Sequence, residues 1–177
     1  MTSAIHIHNG LPLESQTLRS LAEKVHKVFG VGTEIVPSAI RIDRAFDQSR
    51  RQYNSTALLA LLIENSTSSE IKDILIVDVD LYIPVLTYVF GEAQLSGIAA
   101  IVSTHRLHNQ FYGLPRNDGS MMQRLEKEVI HELGHTFGLY HCRQFECVMR
   151  SSTYVEEIDL KKADPCGSCS VLLQKTL

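Results

Sequence analysis

The chain has 177 residues, of which 44% are hydrophobic and 21% charged, the balance of one ordinary globular domain long enough to bury a sizeable core. Its longest apolar runs, "LLALLI" and "DILIVDVDLYIPVL", are too short or too interrupted by Asp and Pro to cross a bilayer. A net charge of −3 with dispersed basic residues leaves no electrostatic footprint for nucleic acid. The N-terminal "MTSAIHIHNG" lacks a basic segment followed by an apolar core, so a cytoplasmic location is expected. There, four cysteines argue for metal before disulfide.

In chain order, "AIHIH" alternates as a strand with Ile5 and Ile7 on one face and His6 and His8 on the other, which reads as a solvated face. Residues 13–30 place Leu18, Leu21, Ala22, Val25 and Val28 at helical spacing, with Gly30 to end the helix. "TEIVP" suits a second strand, and residues 54–64 an apolar, buried helix. "DILIVDVDLY" has the continuous aliphatic character of a strand covered on both faces. "LTYVFG" and "GIAAIVST" give two more, the second after a turn at Ser96-Gly97. That second one, residues 96–104, is the last strand before a long connection and is expected to form the sheet edge that pairs with an extended substrate. Residues 120–139 return to the helical period through Met122, Leu125, Val129, Leu133 and Phe137. A short helix follows at "TYVEEIDLKKA", opened by a Thr153-x-x-Glu156 capping box. The order is mixed α/β (α+β).

The chemistry lies in "VIHELGHTFGLYHCRQFEC", residues 129–147. Residues four apart on a helix share a face, so His131 and His135 point two imidazoles at one place. Glu132 is rotated off that line and suits a general base beside a metal's water. Gly138, three residues past His135, can take the left-handed conformation that ends a helix and swings His141 back as a third ligand. Three histidines leave one coordination position open, the arrangement of a catalytic zinc. The pairs Cys142-x4-Cys147 and Cys166-x2-Cys169 are the two halves of a closed four-cysteine structural zinc site. Two zinc ions per chain are therefore expected.

The run His131-Glu132-x-x-His135-x-x-Gly138-x-x-His141, continued by Cys142-x4-Cys147-x-Met149 and closed by Cys166-x-x-Cys169, resembles the archaemetzincins, a family of the metzincin zinc peptidases. The likeness is close over about the last 50 residues and weaker in "VFGEA" and "STHRL" upstream. It implies a metzincin-like fold: a twisted mixed sheet with two long helices above a cleft, residues 1–138, and a small irregular zinc-stapled subdomain below it, residues 139–177. It also implies that Met149 forms the Met-turn beneath the catalytic metal. In some metzincin branches a tyrosine two residues after that methionine assists the reaction; here the position is Ser151.

These readings converge on a zinc-dependent peptidase in which Glu132 takes a proton from zinc-bound water. A non-enzymatic zinc-binding interaction protein and a metallohydrolase of non-peptide amides are the alternatives. The expected partner is a peptide or protein substrate, with no nucleic acid, no membrane and a monomer favoured. His105 and His108 read as surface histidines. Glu92 reads as an ordinary loop carboxylate, although it could anchor a peptide's free amine.

Overall fold

The structure is a computed structural model that describes residues 2–11 and 13–176. Strand β1 (Ala4–Asn9) leads into helix α1 (Ser15–Phe29), which ends at Gly30 with φ of 66°. Glycine reaches that left-handed conformation without steric cost, and its N–H caps the His26 carbonyl. Strand β2 (Thr33–Pro37) follows, then the short pair β3 (Phe46–Asp47) and β4 (Gln52–Asn54). Helix α2 (Ser55–Asn65) starts on Asn54, whose side chain accepts from the Ala57 N–H, as an N-cap should. Strands β5 (Ile71–Val77), β6 (Leu81–Ile83), β7 (Leu86–Val89), β8 (Gly91–Ala93) and β9 (Ala99–Ser103) come next. Helix α3 (Asp118–Thr136) and the short helices α4 (Val155–Asp159) and α5 (Gly167–Leu173) complete the order.

The strands form two mixed sheets, β2-β1-β5-β9-β8 and β3-β4-β6-β7. In the first, β2, β1, β5 and β9 are parallel and β8 runs antiparallel at the edge. Period-two alternation sends Ile5, Ile7, Ile74, Ile76, Ala100 and Val102 to one face, where they pack with Leu21, Val25 and Phe29 of α1 and Leu125, Val129 and Leu133 of α3. Leu75, Val77, Ala99 and Ile101 face the other way, onto Leu58, Leu59 and Leu62 of α2. The sheet is thus covered by α1 and α3 on one side and α2 on the other. Among the described residues no helix is long and apolar enough to cross a membrane.

Three expectations change. The "GIAAIVST" strand, β9, is not an edge: it lies between β5 and β8, and all five of its residues are buried. Its unbroken apolar run is that of an interior strand, and the free edge belongs to the shorter, less apolar β8. "DILIVDVDLY" is two strands in two different sheets, β5 and β6, broken at Asp78-Val79-Asp80. The capping carboxylate of α4 is Glu157, not Glu156: its Oε2 accepts from the N–H groups of Thr153 and Tyr154 at 2.6 and 3.1 Å.

Candidate active site

Helix α3 carries His131, Glu132 and His135 on the face beneath β8 and β9. Each imidazole is oriented through its far nitrogen. The Nδ1 of His131 lies 2.8 Å from the Val148 carbonyl, and that of His135 lies 2.7 Å from the Leu139 carbonyl. A carbonyl only accepts, so both Nδ1 atoms carry the proton and both Nε2 atoms present lone pairs. Those two Nε2 atoms face each other at 3.1 Å. Two lone pairs at that separation repel unless a cation lies between them. Tetrahedral zinc with Zn–N near 2.05 Å places its nitrogens about 3.3 Å apart, so the pair fits that ion.

The third ring arrives through Gly138, whose φ of 85° ends α3 and reverses the chain. His141 then stacks with its centroid 5.3 Å from that of His131 and 4.9 Å from that of His135. The ligand atoms of all three histidines lie within 4.8 Å of one another. Burial pushes all three imidazoles below their ordinary pKa, His131 furthest. They are kept in the neutral form that binds metal.

Glu132 is 6% exposed, and its carboxylate makes no hydrogen bond to any described residue. Burial, reinforced by the neighbouring Glu128, raises its pKa well above the carboxylate range, against the pull of Lys161. It lies against Gly91 of β8, where a Cβ would stand 2.7 Å from Glu132 Cγ and 2.6 Å from the Ile101 carbonyl. Above these groups opens a cleft of about 610 Å³. It is lined by the continuous chain of β7 and β8, by His131, Glu132, His135 and His141, and by Ser151, Ser152 and Thr153.

Met149 is fully buried, and its sulfur occupies the space a side chain on Gly134 would need. The loop around it is tied to the site, because Val148 orients His131 and the Met149 carbonyl accepts from the Cys142 N–H at 2.9 Å. That last bond leads to the second cluster. Cys142 Sγ is 3.7 Å from Cys166 Sγ, and Cys147 Sγ is 3.8 Å from Cys169 Sγ, with all four within 4.8 Å. These separations are too long for disulfides. They match the S···S distance of about 3.75 Å across a tetrahedral zinc with Zn–S near 2.3 Å. The Cys166 thiol is brought down to about 7 by the Cys169 backbone N–H, whereas burial pushes the Cys147 and Cys169 thiols up, so a metal would displace protons from the last two.

The three histidines and Glu132 meet at the cleft, the four cysteines meet beside Met149, and other residues differ from expectation. His6 and His8 are half-buried beside Asp73 rather than solvated. Glu92 is no free loop carboxylate: it lines the cleft and accepts from the hydroxyls of Ser55 and Thr56 at the start of α2. His105 and His108 do not line the cleft. Gly91, Glu128 and Lys161 were not foreseen. Glu128 had a signal, since it stands one helical turn before Glu132 on the same face, and Gly91 lies in the "VFGEA" segment; Lys161 had none.

Comparison with known proteins agrees with this geometry. Residues 15–175 match the family described as Peptidase family M54. The chain is 39% identical over 164 residues to the archaemetzincin of Methanocaldococcus jannaschii, covering 92% of this chain and 88% of that one. Among solved structures it is similar to a zinc-dependent peptidase from Methanocorpusculum labreanum, at 30% identity and TM-score 0.85 over 96% of this chain and 99% of the other. The archaemetzincin of Methanopyrus kandleri aligns at 31% identity and TM-score 0.82, over 99% and 95%. With a family match across nearly its whole length and relatives this similar, the chain belongs to peptidase family M54, the archaemetzincins.

Proposed function

We propose that the chain hydrolyses peptide bonds in the cleft beneath β8, with Glu132 as general base, one zinc on His131, His135 and His141, and a structural zinc on Cys142, Cys147, Cys166 and Cys169. The observation that carries this reading is the pair of facing Nε2 lone pairs at 3.1 Å with a buried carboxylate on the adjoining residue. When bound, zinc on three imidazoles supplies Lewis-acid chemistry, polarising the scissile carbonyl and acidifying the attacking water.

The chain's own groups do the rest. Glu132, with no hydrogen-bond partner among the described residues and a raised proton affinity, accepts the proton of the attacking water and returns it to the leaving amine. Val148 and Leu139 hold the two imidazoles in the ligating tautomer. The four-cysteine staple fixes the segment that carries His141 and Met149, so residues 139–177 act as the lower jaw against residues 1–138.

Substrate is held by β8. Ser103 donates to the Phe90 carbonyl and Gln94 to the Ala99 carbonyl, so positions 90, 92 and 94 bond to β9. Antiparallel alternation then turns the amide and carbonyl of Gly91 and Ala93 outward. A peptide laid along that edge adds a strand directly above Glu132.

The test is incubation with a diverse peptide library, with parent and Glu132→Ala compared and metal counted in each. The parent should cleave and both proteins should carry two zinc ions as purified, while Glu132→Ala loses nearly all hydrolysis. A variant that keeps most activity ends the general-base assignment, and a folded parent saturated at one zinc ends the two-metal reading.

A further inference from the structure

On the sheet face that α2 covers, away from the cleft, a third set of ligand atoms converges. Successive odd and even positions of a strand face opposite sides, so Ile5 and Ile7 go to the core and put His6 and His8 together on the reverse face of β1. Asp73 of β5 stands directly opposite His6 in the parallel register. Its Oδ1 lies 2.7 Å from His8 Nε2 and 3.5 Å from His6 Nδ1, while its Oδ2 accepts from Ser66 Oγ at 2.6 Å.

Asp73 is 3% exposed, and no lysine or arginine pairs with it among the described residues. A buried carboxylate needs a compensating positive charge or several hydrogen bonds. The groups facing this one are two imidazoles, which carry no permanent charge but offer lone pairs. Its two oxygens are held by His8 and by Ser66, so the carboxylate is already oriented toward the two rings. The rings remain about a fifth exposed, which gives an ion and its waters a way in.

We propose that His6, His8 and Asp73 form a third metal site, one that takes a borderline divalent cation such as zinc in an N2O set completed by water. All three ligand atoms lie within 4.8 Å of one another, and the two distances to Asp73 bracket what that chemistry requires. Ligand nitrogen and oxygen atoms across an ion of this kind are about 3.0–3.5 Å apart, given bond lengths of about 2.0–2.2 Å. The 3.5 Å gap between His6 and Asp73 is already of that size and too long for a hydrogen bond. The 2.7 Å gap to His8 is spanned by one shared proton, which the cation displaces to solvent as the gap opens by a few tenths of an ångström. Softness selects zinc, nickel, cobalt or copper over calcium and magnesium, because two of three ligands are imidazoles. With three protein ligands and one of them already hydrogen-bonded, the site binds more weakly than the four-cysteine cluster and loads only when free metal is supplied.

The test is calorimetric titration of Zn2+ into the untagged protein that already carries the zinc it was purified with, followed by metal counting at saturation. The parent should bind one further ion per chain. His8→Gln, which keeps a donor for Asp73, should lose that event. So should His6→Gln, whose ring makes no hydrogen bond to a described residue and whose replacement leaves the Asp73 pairing intact. Glu132→Ala should retain it, so the result is independent of the peptidase reading. If the parent binds no further ion, or if His6→Gln and His8→Gln bind as the parent does, the site does not exist and the three side chains are a hydrogen-bonded cluster.

Discussion

Lys161 Nζ stands 3.2 Å from Glu128 Oε1, with both side chains at least 95% buried, and donates at 2.9 Å to the Arg150 carbonyl. The pair joins α3, one turn before His131 and Glu132, to the residue that follows Met149. Desolvating two charges costs several kcal/mol, and only good geometry repays it. Removing one partner leaves a buried charge alone, so Lys161→Met should lower unfolding free energy by about 3–5 kcal/mol. Glu128→Leu combined with Lys161→Met should recover most of that loss. Urea unfolding of the three proteins checks both statements, and a single variant as stable as the parent would show that the pair contributes nothing.

Gly91 and Glu132 make a second contact that fixes the site. A methyl group on Gly91 meets both the Glu132 side chain and the Ile101 carbonyl inside van der Waals distance. The Ile101 carbonyl is backbone of an interior strand and cannot yield. Gly91→Ala should therefore displace β8 or Glu132, at about 1–3 kcal/mol of stability and with a loss of kcat larger than a change in KM. Peptide hydrolysis measured beside thermal unfolding decides it: a variant with parental kcat would mean that Glu132 adjusts freely.

The sequence was most legible where one residue type has one use. Cysteines and histidines at ligand spacing announced the three-histidine and four-cysteine clusters, and Gly138 announced the reversal that delivers His141. Amphipathic α1 and α3 were equally plain, since their apolar periods run for 15 and 19 residues. What failed was lateral order. Whether β9 is an edge depends on where three-residue β8 pairs, and so short a strand leaves no period to read. The α2-covered face misled in the same way: His6 and His8 looked solvated because their partner Asp73 lies in another strand, 65 residues beyond His8. Long-range polar pairing has no local signature.

Acid should weaken the protein through its histidines once the ion on them has been removed. Burial lowers the folded pKa values of His131, His135 and His141 below the ordinary imidazole value of about 6.5. The unfolded chain then binds protons at a pH where the folded chain refuses them. Stability is fully present above about 6.5 and is lost as pH falls toward the depressed values. Glu132 acts in the opposite sense, because its raised pKa lets the folded form take its proton first, but it is one group against three. Urea unfolding between pH 7.5 and 5.5 should show falling stability with acid, and His135→Gln should fall less steeply. Equal stability at both ends would contradict the neutral-imidazole reading.

The free edge of β8 yields the sharpest test of how substrate is held. Proline removes an N–H and nothing else from a strand whose φ it can match. At Ala93 the lost N–H points outward, away from β9, so Ala93→Pro should spare the sheet and the metal content while raising KM for peptides by roughly two- to tenfold, the value of one main-chain hydrogen bond at about 0.5–1.5 kcal/mol. At Glu92 the lost N–H belongs to the ladder with Ile101, so Glu92→Pro should lower thermal stability instead. The two neighbouring prolines thus separate binding from folding. If Ala93→Pro folds, keeps its zinc and cleaves peptides with parental KM, substrates do not add a strand to β8 and the cleft must grip them by side chains alone.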